Sequence, residues 1–210
     1  MPFYRDYVYP FLVDRLGNPK PIQEVRERIL PLARGAVLEI GFGSGANLAY
    51  YDPRNVTRLY ALEPNARMVQ LAEKRRTQTL LDIEFLDLPG ERIPLGDRTV
   101  DTVVSTFTMC TIPGISEAIR GIRRVLKPHG KLIFFEHALS PDPQVRRWQD
   151  RWAAIHYRLF AGLRLTRDIP ALLRDGGFCI EWMEAGHLAE FPKSWACFCW
   201  GTAKLTATGQ

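Results

Sequence analysis

The sequence predicts an α/β fold in which a mostly parallel sheet carries helices on both faces. Apolar runs of strand length alternate with helical segments between residues 36 and 137, as they do when crossover helices join parallel strands. The apolar run at 36–40 leads directly into a glycine-rich turn at 41–45. Only a loop separates the last two strand-like runs, which indicates an antiparallel hairpin at the carboxyl end of the chain.

The elements can be placed in chain order from their periodicity. Apolar residues at helical spacing predict a helix from Ile22 to about Arg34, after the breaks at Pro19 and Pro21. Strands are predicted at 36–40, 58–62, 83–86, 100–106, 132–136, 178–184 and 195–203. Further helices are predicted at 47–51, 66–76, 115–126, 144–160 and 169–174. Residues 127–130 (KPHG) have the composition of a turn that ends a helix and leads into the next strand.

The composition is that of one globular domain. The chain has 210 residues, of which 46% are hydrophobic and 24% are charged. No apolar run approaches the length of a membrane span, and residues 1–6 lack the apolar core of a secretory signal, so we expect a cytoplasmic protein. We expect a helical cap at 1–34, a cofactor-binding core at 35–137, and acceptor-side helices with the closing hairpin at 138–210.

The net charge of +5 comes from arginines in short clusters, such as those at 74–76, 123–124 and 146–147. Clusters of this size are typical of solvated helix faces, so no nucleic-acid partner is predicted. The four cysteines form no C-x-x-C pair, which favours reduced core thiols over disulfides or a zinc site. They are Cys110, Cys179, Cys197 and Cys199.

The glycine-rich turn at 41–45 indicates a site where backbone approaches a ligand closely, because glycine has no Cβ to hold the ligand away. Glu63 follows about 20 residues later, at the end of the second predicted strand. That spacing is typical of a pocket for an adenosine ribose.

Gly41, Gly43 and Ala46 also satisfy the dinucleotide fingerprint, so a nicotinamide or flavin enzyme is an alternative. Two observations favour S-adenosylmethionine instead. Glu39 stands two residues before the first glycine, where a carboxylate repels a pyrophosphate and attracts an ammonium group. No second glycine-rich strand-to-helix unit is present for the other half of a dinucleotide.

Four motifs in order resemble the class I S-adenosylmethionine-dependent methyltransferases. They are residues 39–45 (EIGFGSG), 62–65 (LEPN), 101–104 (DTVV) and 124–130 (RVLKPHG), and the resemblance covers residues 36–137. It implies a Rossmann-like sheet of seven strands with the last one inserted antiparallel. It also implies that the glycine turn holds the methionine part of S-adenosylmethionine and that Glu63 holds the ribose hydroxyls. The cofactor-binding candidates are Glu39, Gly41, Gly43, Gly45, Asn47, Glu63, Pro64, Asp87, Leu88, Gly90 and Thr106.

A finer resemblance connects residues 104–113 (VSTFTMCTIP), Glu136-His137 and 165–167 (LTR) with bacterial relatives of the methyltransferase-like thiol S-methyltransferases. The animal members carry an N-terminal membrane anchor that this sequence does not show. Residues 88–91 (LPGE) depart from the family where an Asp commonly precedes the adenine contact. Asp87 or backbone is therefore expected to hold the adenine amino group.

The chemistry favours a small thiol as the methyl acceptor. A thiol is already a few per cent thiolate at neutral pH, so its methylation requires no strong base. His137, at the end of a predicted strand, is a candidate base or substrate contact, and Cys110 is a candidate lining residue of the acceptor pocket. Plain packing is the alternative for both side chains.

The resemblance to class I methyltransferases also implies a lid, because a leading segment often folds over the cofactor in that family, and aromatic residues are dense near the amino terminus of this sequence. Tyr4 and Tyr7 could exclude water and contact the sulfonium of S-adenosylmethionine through their rings, or simply pack a helix. A rival function is methylation of a phospholipid amine headgroup or a quinol, in which the basic aromatic helix at 144–160 would rest on a membrane surface. A non-catalytic protein that binds the cofactor or a partner is the third alternative.

Overall fold

A computed structural model of the chain describes residues 9–160, 162–188, 191 and 197–206. Within these residues, one sheet of seven strands is flanked by six α-helices. The strands are β1 (Gly35–Ile40), β2 (Val56–Leu62), β3 (Ile83–Leu86), β4 (Val100–Thr106), β5 (Leu126–His137), β6 (Phe178–His187) and β7 (Cys197–Leu205). The helices are α1 (Tyr9–Leu16), α2 (Lys20–Ile29), α3 (Ala66–Arg76), α4 (Ile115–Val125), α5 (Pro143–Leu159) and α6 (Ile169–Asp175).

The sheet has the strand order β3-β2-β1-β4-β5-β7-β6. Strands β1 to β5 pair in parallel, whereas β7 lies between β5 and β6 and is antiparallel to both. The predicted α/β class, the seven strands and the closing hairpin are confirmed. The strand order reverses between β1 and β4, and in such sheets the ligand lies at the carboxyl ends of the strands beside that reversal.

The apolar side chains of the sheet supply two cores, one on each face. In β5, Phe134 belongs to the core shared with α4 and α6, and the neighbouring Phe135 belongs to the core shared with α2 and α3. Successive residues of a strand point to opposite faces, which explains why the central strands are apolar almost throughout. Glu39 is the exception in the second half of β1, among Val37, Leu38 and Ile40.

Several element boundaries differ from the sequence prediction. The helix expected to reach about Arg34 ends at Ile29, and a 3₁₀ turn at Leu30–Leu32 follows it. Residues 127–130 were expected to form a turn, but they lie inside β5. Val100 pairs with Leu126 and Thr102 with Lys131, so the chain resumes pairing with β4 immediately after α4 and bulges in between. The predicted helix at 47–51 is only a short 3₁₀ turn at Leu48–Tyr50.

The cysteines are free thiols, as the sequence predicts. Cys197 and Cys199 are buried in the same core, because they are two residues apart on β7. None of the helices in the described part of the chain combines the length and the apolar character needed to cross a bilayer.

The β6–β7 hairpin offers a test of this packing at Gly201. A Cβ at Gly201 would collide with the backbone carbonyl of Trp182 and would stand 2.9 Å from Cα of Met183, so the strands would have to separate. We expect Gly201→Ala to lower the free energy of unfolding by about 1–3 kcal/mol in urea denaturation.

Gly186→Ala is the matched control in the same hairpin, since a Cβ there would meet no atom within 4 Å. We expect it to change the free energy of unfolding by less than about 0.5 kcal/mol. Equal unfolding midpoints for the two variants would contradict the close approach of β6 and β7 at Gly201.

Candidate active site

A cleft of about 1370 Å³ lies at the carboxyl ends of the parallel strands, where the strand order reverses. Its lining runs from Pro10 in α1 to Gly162 after α5. Single drug-sized ligands occupy roughly 300–1,000 Å³, so this cleft has room for two reactants side by side. Of the sequence-predicted candidates, it is lined by Glu39, Gly41, Gly43, Asn47, Glu63, Pro64, Gly90 and Thr106.

The glycine turn after β1 is fixed to the end of β2. The backbone N–H groups of Gly41 and Phe42 both donate to the carbonyl of Leu62, at 2.9 and 3.1 Å. Gly41 has a φ of 68°, and a Cβ there would collide with the side chain of Thr108. At Gly43 a Cβ would meet nothing closer than 3.9 Å, so that residue leaves its face open to the cleft.

Glu39 places a buried carboxylate in the cleft. Only 1% of the residue is exposed, and its two oxygens accept hydrogen bonds from Tyr51 Oη at 2.6 Å and Asn47 Nδ2 at 2.8 Å. Burial raises its pKa to about 7, although both hydrogen bonds oppose that shift. A ligand cation beside this carboxylate would lower the pKa again and would be attracted in turn.

Glu63 supplies a second carboxylate at the end of β2. It accepts hydrogen bonds from the backbone N–H groups of Gly43 and Asn65, both at 2.9 Å, and burial raises its pKa against those bonds. The two bonds fix the carboxylate without using all of its acceptor capacity. The remaining capacity suits a pair of vicinal hydroxyl groups.

Of the candidates in the loop after β3, the structure brings only one to the cleft lining. Gly90 lines the cleft together with Pro89 and Glu91, but Asp87 is exposed to solvent and does not line it. Leu88 packs against the hydrophobic core instead. Gly45 also lies outside the lining. Its φ of 79° is a conformation that the turn requires and that glycine adopts readily. Asp87 still raises the pKa of Glu63 through its charge, so its influence on the cleft is indirect.

Arg26 is a cleft residue that the sequence interpretation missed. Only 5% of it is exposed, its Nη1 donates to Oδ1 of Asn18 at 2.5 Å, and its guanidinium carbon lies 5.8 Å from the centre of the Phe107 ring. Its buried Nε has no acceptor among the described residues. Burial lowers the pKa of Arg26, and the charge of Glu39 opposes that shift. The cleft therefore holds a buried cation and a buried anion, which is the complement of a zwitterion.

The segment after β4, residues 107–113, forms the other side of the cleft and is anchored by Glu136. This carboxylate has no exposure and accepts from Ser105 Oγ at 2.7 Å. It also accepts from the backbone N–H groups of Thr108, Met109 and Cys110 at 3.0–3.1 Å. Burial raises the pKa of Glu136, whereas these hydrogen bonds lower it.

Arg167 holds the same segment through its backbone carbonyls. Its Nη1 donates to the carbonyl of Met109, and its Nη2 donates to that of Ile112 at 2.6 Å. The carboxylate of Glu136 and the guanidinium of Arg167 thus satisfy opposite ends of the peptide groups in one loop. The three sequence segments of the finer resemblance meet at this place. They are far apart in the sequence, since residues 104 and 167 are 63 positions from each other.

The structure places neither proposed catalytic residue in the cleft lining. The His137 ring packs against Phe198 and Phe107, at 4.6 and 5.4 Å between ring centres. Cys110 is fully buried in a small cluster with Leu163 and Leu165, so it does not line the acceptor pocket as expected. Burial raises the pKa of the Cys110 thiol well above its usual range, and the charge of Glu136 adds to that shift.

The predicted lid can be followed only in part. Tyr4 and Tyr7 lie outside the described residues. The helix that follows them, α1, contributes Pro10, Val13 and Asp14 to the cleft lining. Asp14 is fixed by Arg75 of α3 at 2.5 Å, and the same Arg75 Nη1 donates to the carbonyl of Ser44 in the glycine turn at 2.6 Å.

Comparison with known proteins assigns the family. A methyltransferase-domain family model matches residues 38–134, which contain the glycine turn, Glu63 and the 107–113 segment. Human thiol S-methyltransferase TMT1B is 32% identical over 153 residues, which are 71% of this chain and 62% of that protein. The chain belongs to the class I S-adenosylmethionine-dependent methyltransferases. The cofactor of this methyltransferase is S-adenosylmethionine.

Two further comparisons place the methyltransferase more broadly. The ubiquinone/menaquinone biosynthesis C-methyltransferase UbiE of Bartonella quintana is 26% identical over 127 residues, which are 58% of this chain and 48% of that protein. The crystal structure of an S-adenosylmethionine-dependent methyltransferase from Thermotoga maritima aligns with a TM-score of 0.65 at 21% identity, over 96% of this chain and 97% of the other. This methyltransferase spans about three fifths of the length of human TMT1B, and the structural likeness shows the fold.

The polar groups of the cleft fit S-adenosylmethionine. We propose that Glu39 binds the ammonium group of its methionine part and that Glu63 binds the ribose hydroxyls. Arg26, whose buried Nε lacks an acceptor among the described residues, is then the partner of the methionine carboxylate. Asn47 supports this arrangement, because its Nδ2 bridges Glu39 and Thr106 at 2.8 and 3.0 Å.

The raised pKa of Glu39 predicts that cofactor affinity depends on pH. The free protein holds a proton on Glu39 below its pKa of about 7, and the ammonium group binds the ionised form, so affinity rises as the pH rises through that value. We expect S-adenosylhomocysteine to bind about tenfold more tightly at about pH 8 than at about pH 6 in calorimetry.

Glu39→Gln is the control for this pH dependence, because it keeps acceptor and donor atoms at the site but cannot ionise. It should bind more weakly at high pH and show a flat profile between the two values. A variant that retained the slope of the parent protein would assign the proton to a different group.

Arg26 can be tested with a pair of ligands that differ only in the carboxylate. We expect Arg26→Gln to weaken S-adenosylhomocysteine binding roughly 10- to 100-fold, because a charge-assisted hydrogen bond is lost. Binding of the decarboxylated analogue should change little. Arg28→Gln on the same helix is the matched control, since Arg28 is exposed and pairs with Glu184. Equal losses for the two ligands would mean that Arg26 only supports the fold of the cleft.

Proposed function

We propose that this methyltransferase transfers the methyl group of S-adenosylmethionine to the sulfur of a small thiol. The observation that carries the proposal is the chemistry of the cleft lining. Among the described residues it includes arginines and carboxylates but no histidine, lysine or cysteine. A lining of this kind suits an acceptor that ionises without a neutral base.

A thiol meets that requirement. With a pKa near 8.5 it is a few per cent thiolate at neutral pH, and a neighbouring cation increases that fraction. Arg158 lines the cleft beside Tyr157 and Leu159, and we assign this part of the cleft to the acceptor. When bound, S-adenosylmethionine supplies an electrophilic methyl group on a sulfonium. With the cofactor held by Glu39, Glu63 and Arg26, the thiolate would take its methyl group in line, and the electron pair of the broken carbon–sulfur bond would stay on the sulfonium sulfur.

The protein then contributes chiefly by positioning. Holding a nucleophile and an electrophile in line contributes about 7–11 kcal/mol to lowering a barrier. The 107–113 segment is suited to this task, since Glu136 and Arg167 fix its backbone from opposite ends of its peptide groups. Thr108, Thr111 and Ile112 of this segment line the cleft. The likeness to human thiol S-methyltransferase TMT1B supports the same acceptor class.

The second candidate acceptor is a quinol or an amine headgroup, which the likeness to UbiE favours. Both acceptors must lose a proton during the reaction, and an amine is protonated at neutral pH. The only described lining groups that could accept that proton are carboxylates, and two of them, Glu39 and Glu63, are the ones we assign to S-adenosylmethionine. The thiol is therefore the acceptor that this cleft supports best.

The test is to incubate the protein with S-adenosylmethionine and three acceptor classes: small alkyl and aromatic thiols, a quinol, and an amine phospholipid. We expect methyl thioether and S-adenosylhomocysteine in equal amounts from the thiols, detected by mass spectrometry. Glu63→Gln should lose most of this activity through weaker cofactor binding. Methylation of the quinol or the phospholipid, with no thioether above the enzyme-free rate, would overturn the proposal.

A separate variant tests whether a histidine base takes part. His137→Gln should keep thiol methylation within about threefold of the parent rate, because its ring packs outside the cleft lining. A loss of about 100-fold or more, with unchanged S-adenosylhomocysteine affinity, would restore His137 as a base.

A further inference from the structure

Helix α5 exposes a row of large apolar side chains to solvent. Trp148, Trp152, Ile155 and Leu159 are 54%, 39%, 43% and 50% exposed. Their spacing of four, three and four residues places them along one face of the helix. The indole rings of Trp148 and Trp152 stack on each other, with 6.3 Å between ring centres and an angle of 3° between planes. Between 39% and 54% of each of these residues therefore remains in contact with water instead of packing in a core.

An arginine row runs beside the apolar row. Arg147, Arg151 and Arg158 are all exposed, and at 100° per residue their row lies about 90° around the helix from the apolar row. None of the three has a carboxylate within ion-pair distance in the described part of the chain. The two rows together form what we name the α5 ridge, made of these seven residues.

The third face of α5 fixes the direction in which the ridge points. Val145, Gln149 and His156 are buried against the body of the protein. The Gln149 amide accepts from the backbone N–H of Ser140 at 3.0 Å and donates to the carbonyl of Ala138 at 3.2 Å. Asp142 caps the start of the helix by accepting from the N–H of Gln144 at 2.8 Å. The contacts of this buried face therefore fix the rotation of α5, so that the arginine row points away from the body of the protein and the apolar row lies between the two.

We propose that the α5 ridge binds an anionic lipid surface, with α5 lying in the plane of the bilayer interface. Tryptophan is favoured at that interface, aliphatic side chains enter the acyl boundary, and arginines pair with lipid phosphates. A second copy of the chain is a poorer occupant, because two-fold pairing of the ridges would bring the arginine rows against each other. The net charge of +5 adds a general attraction to an anionic surface.

The position of the ridge gives this contact a role. Tyr157, Arg158 and Leu159, at the carboxyl end of α5, line the cleft. A bilayer beneath the ridge would lie next to the acceptor side of the cleft, so amphiphilic acceptors dissolved in lipid would reach it without crossing bulk water. The lipid contact itself does not rest on the identity of the acceptor.

The test uses the intact protein and two kinds of vesicle, phosphatidylcholine alone and phosphatidylcholine mixed with phosphatidylglycerol. We expect co-sedimentation and a blue shift of tryptophan emission with the anionic vesicles only, weakening as salt is raised. Arg147→Gln/Arg151→Gln should reduce the partition coefficient by about tenfold or more, since each arginine near an anionic surface contributes on the order of fivefold. Trp148→Gln/Ile155→Gln should reduce it similarly.

The control is Lys74→Gln/Arg76→Gln on α3, which removes the same charge from an exposed site away from the ridge. It should leave the partition coefficient within about twofold of that of the parent protein. Unchanged S-adenosylhomocysteine affinity shows that each variant is folded, whatever the acceptor. Equal losses for the control and ridge pairs, no binding by the parent protein, or a dimer in sedimentation velocity that Trp148→Gln/Ile155→Gln dissociates would each overturn the proposal.

Discussion

A fully buried carboxylate with four hydrogen bonds organises this protein. Glu136 sits at the end of β5, where parallel strands bring their carboxyl ends together, and its oxygens receive the side chain of Ser105 and three consecutive backbone N–H groups. The segment that it holds forms one wall of the cleft, and Thr108 of that segment packs against Gly41 of the glycine turn. The position of the 107–113 segment and the position of the glycine turn therefore depend on each other. Removing one buried acceptor would leave several donors unpaired at once.

Much of this arrangement could be predicted from the sequence, because it is encoded locally. The bounds of β3, β4 and α3 agree with the periodicity to the residue, and the cleft lies at the glycine turn and Glu63 as their spacing indicates. These features depend on near neighbours: apolar runs, a helix cap at Asn65, and glycines with positive φ. The family assignment follows from the same short motifs. Short sequence motifs are therefore sufficient to predict the elements and turns that depend only on residues near them in the chain.

The side chains that could not be predicted owe their positions to residues far away in the chain. Arg26 shares the apolar face of α2 with Ile22 and Ile29. Arg28 lies on the other side of the helix and pairs with Glu184 in the open. The helical period therefore separates the two arginines, but it does not show that the buried one borders the cleft. The sequence makes Cys110 a candidate acceptor contact, but in the structure Cys110 is buried against Leu163 and Leu165. Asp87 is near enough to influence Glu63 but is turned to solvent. In each case tertiary packing decides between two local alternatives.

The insertion of β7 between β5 and β6 has a consequence for how the chain is made. Strand β5 ends at His137, but its second partner begins only at Cys197. While the protein emerges from the ribosome, the free edge of β5 displays unpaired backbone groups beside Phe134 and Phe135, two of the most deeply buried side chains of the finished fold. Exposed apolar edges of this kind recruit other chains. Strand β7 therefore closes this edge only after about 60 further residues have been added to β5.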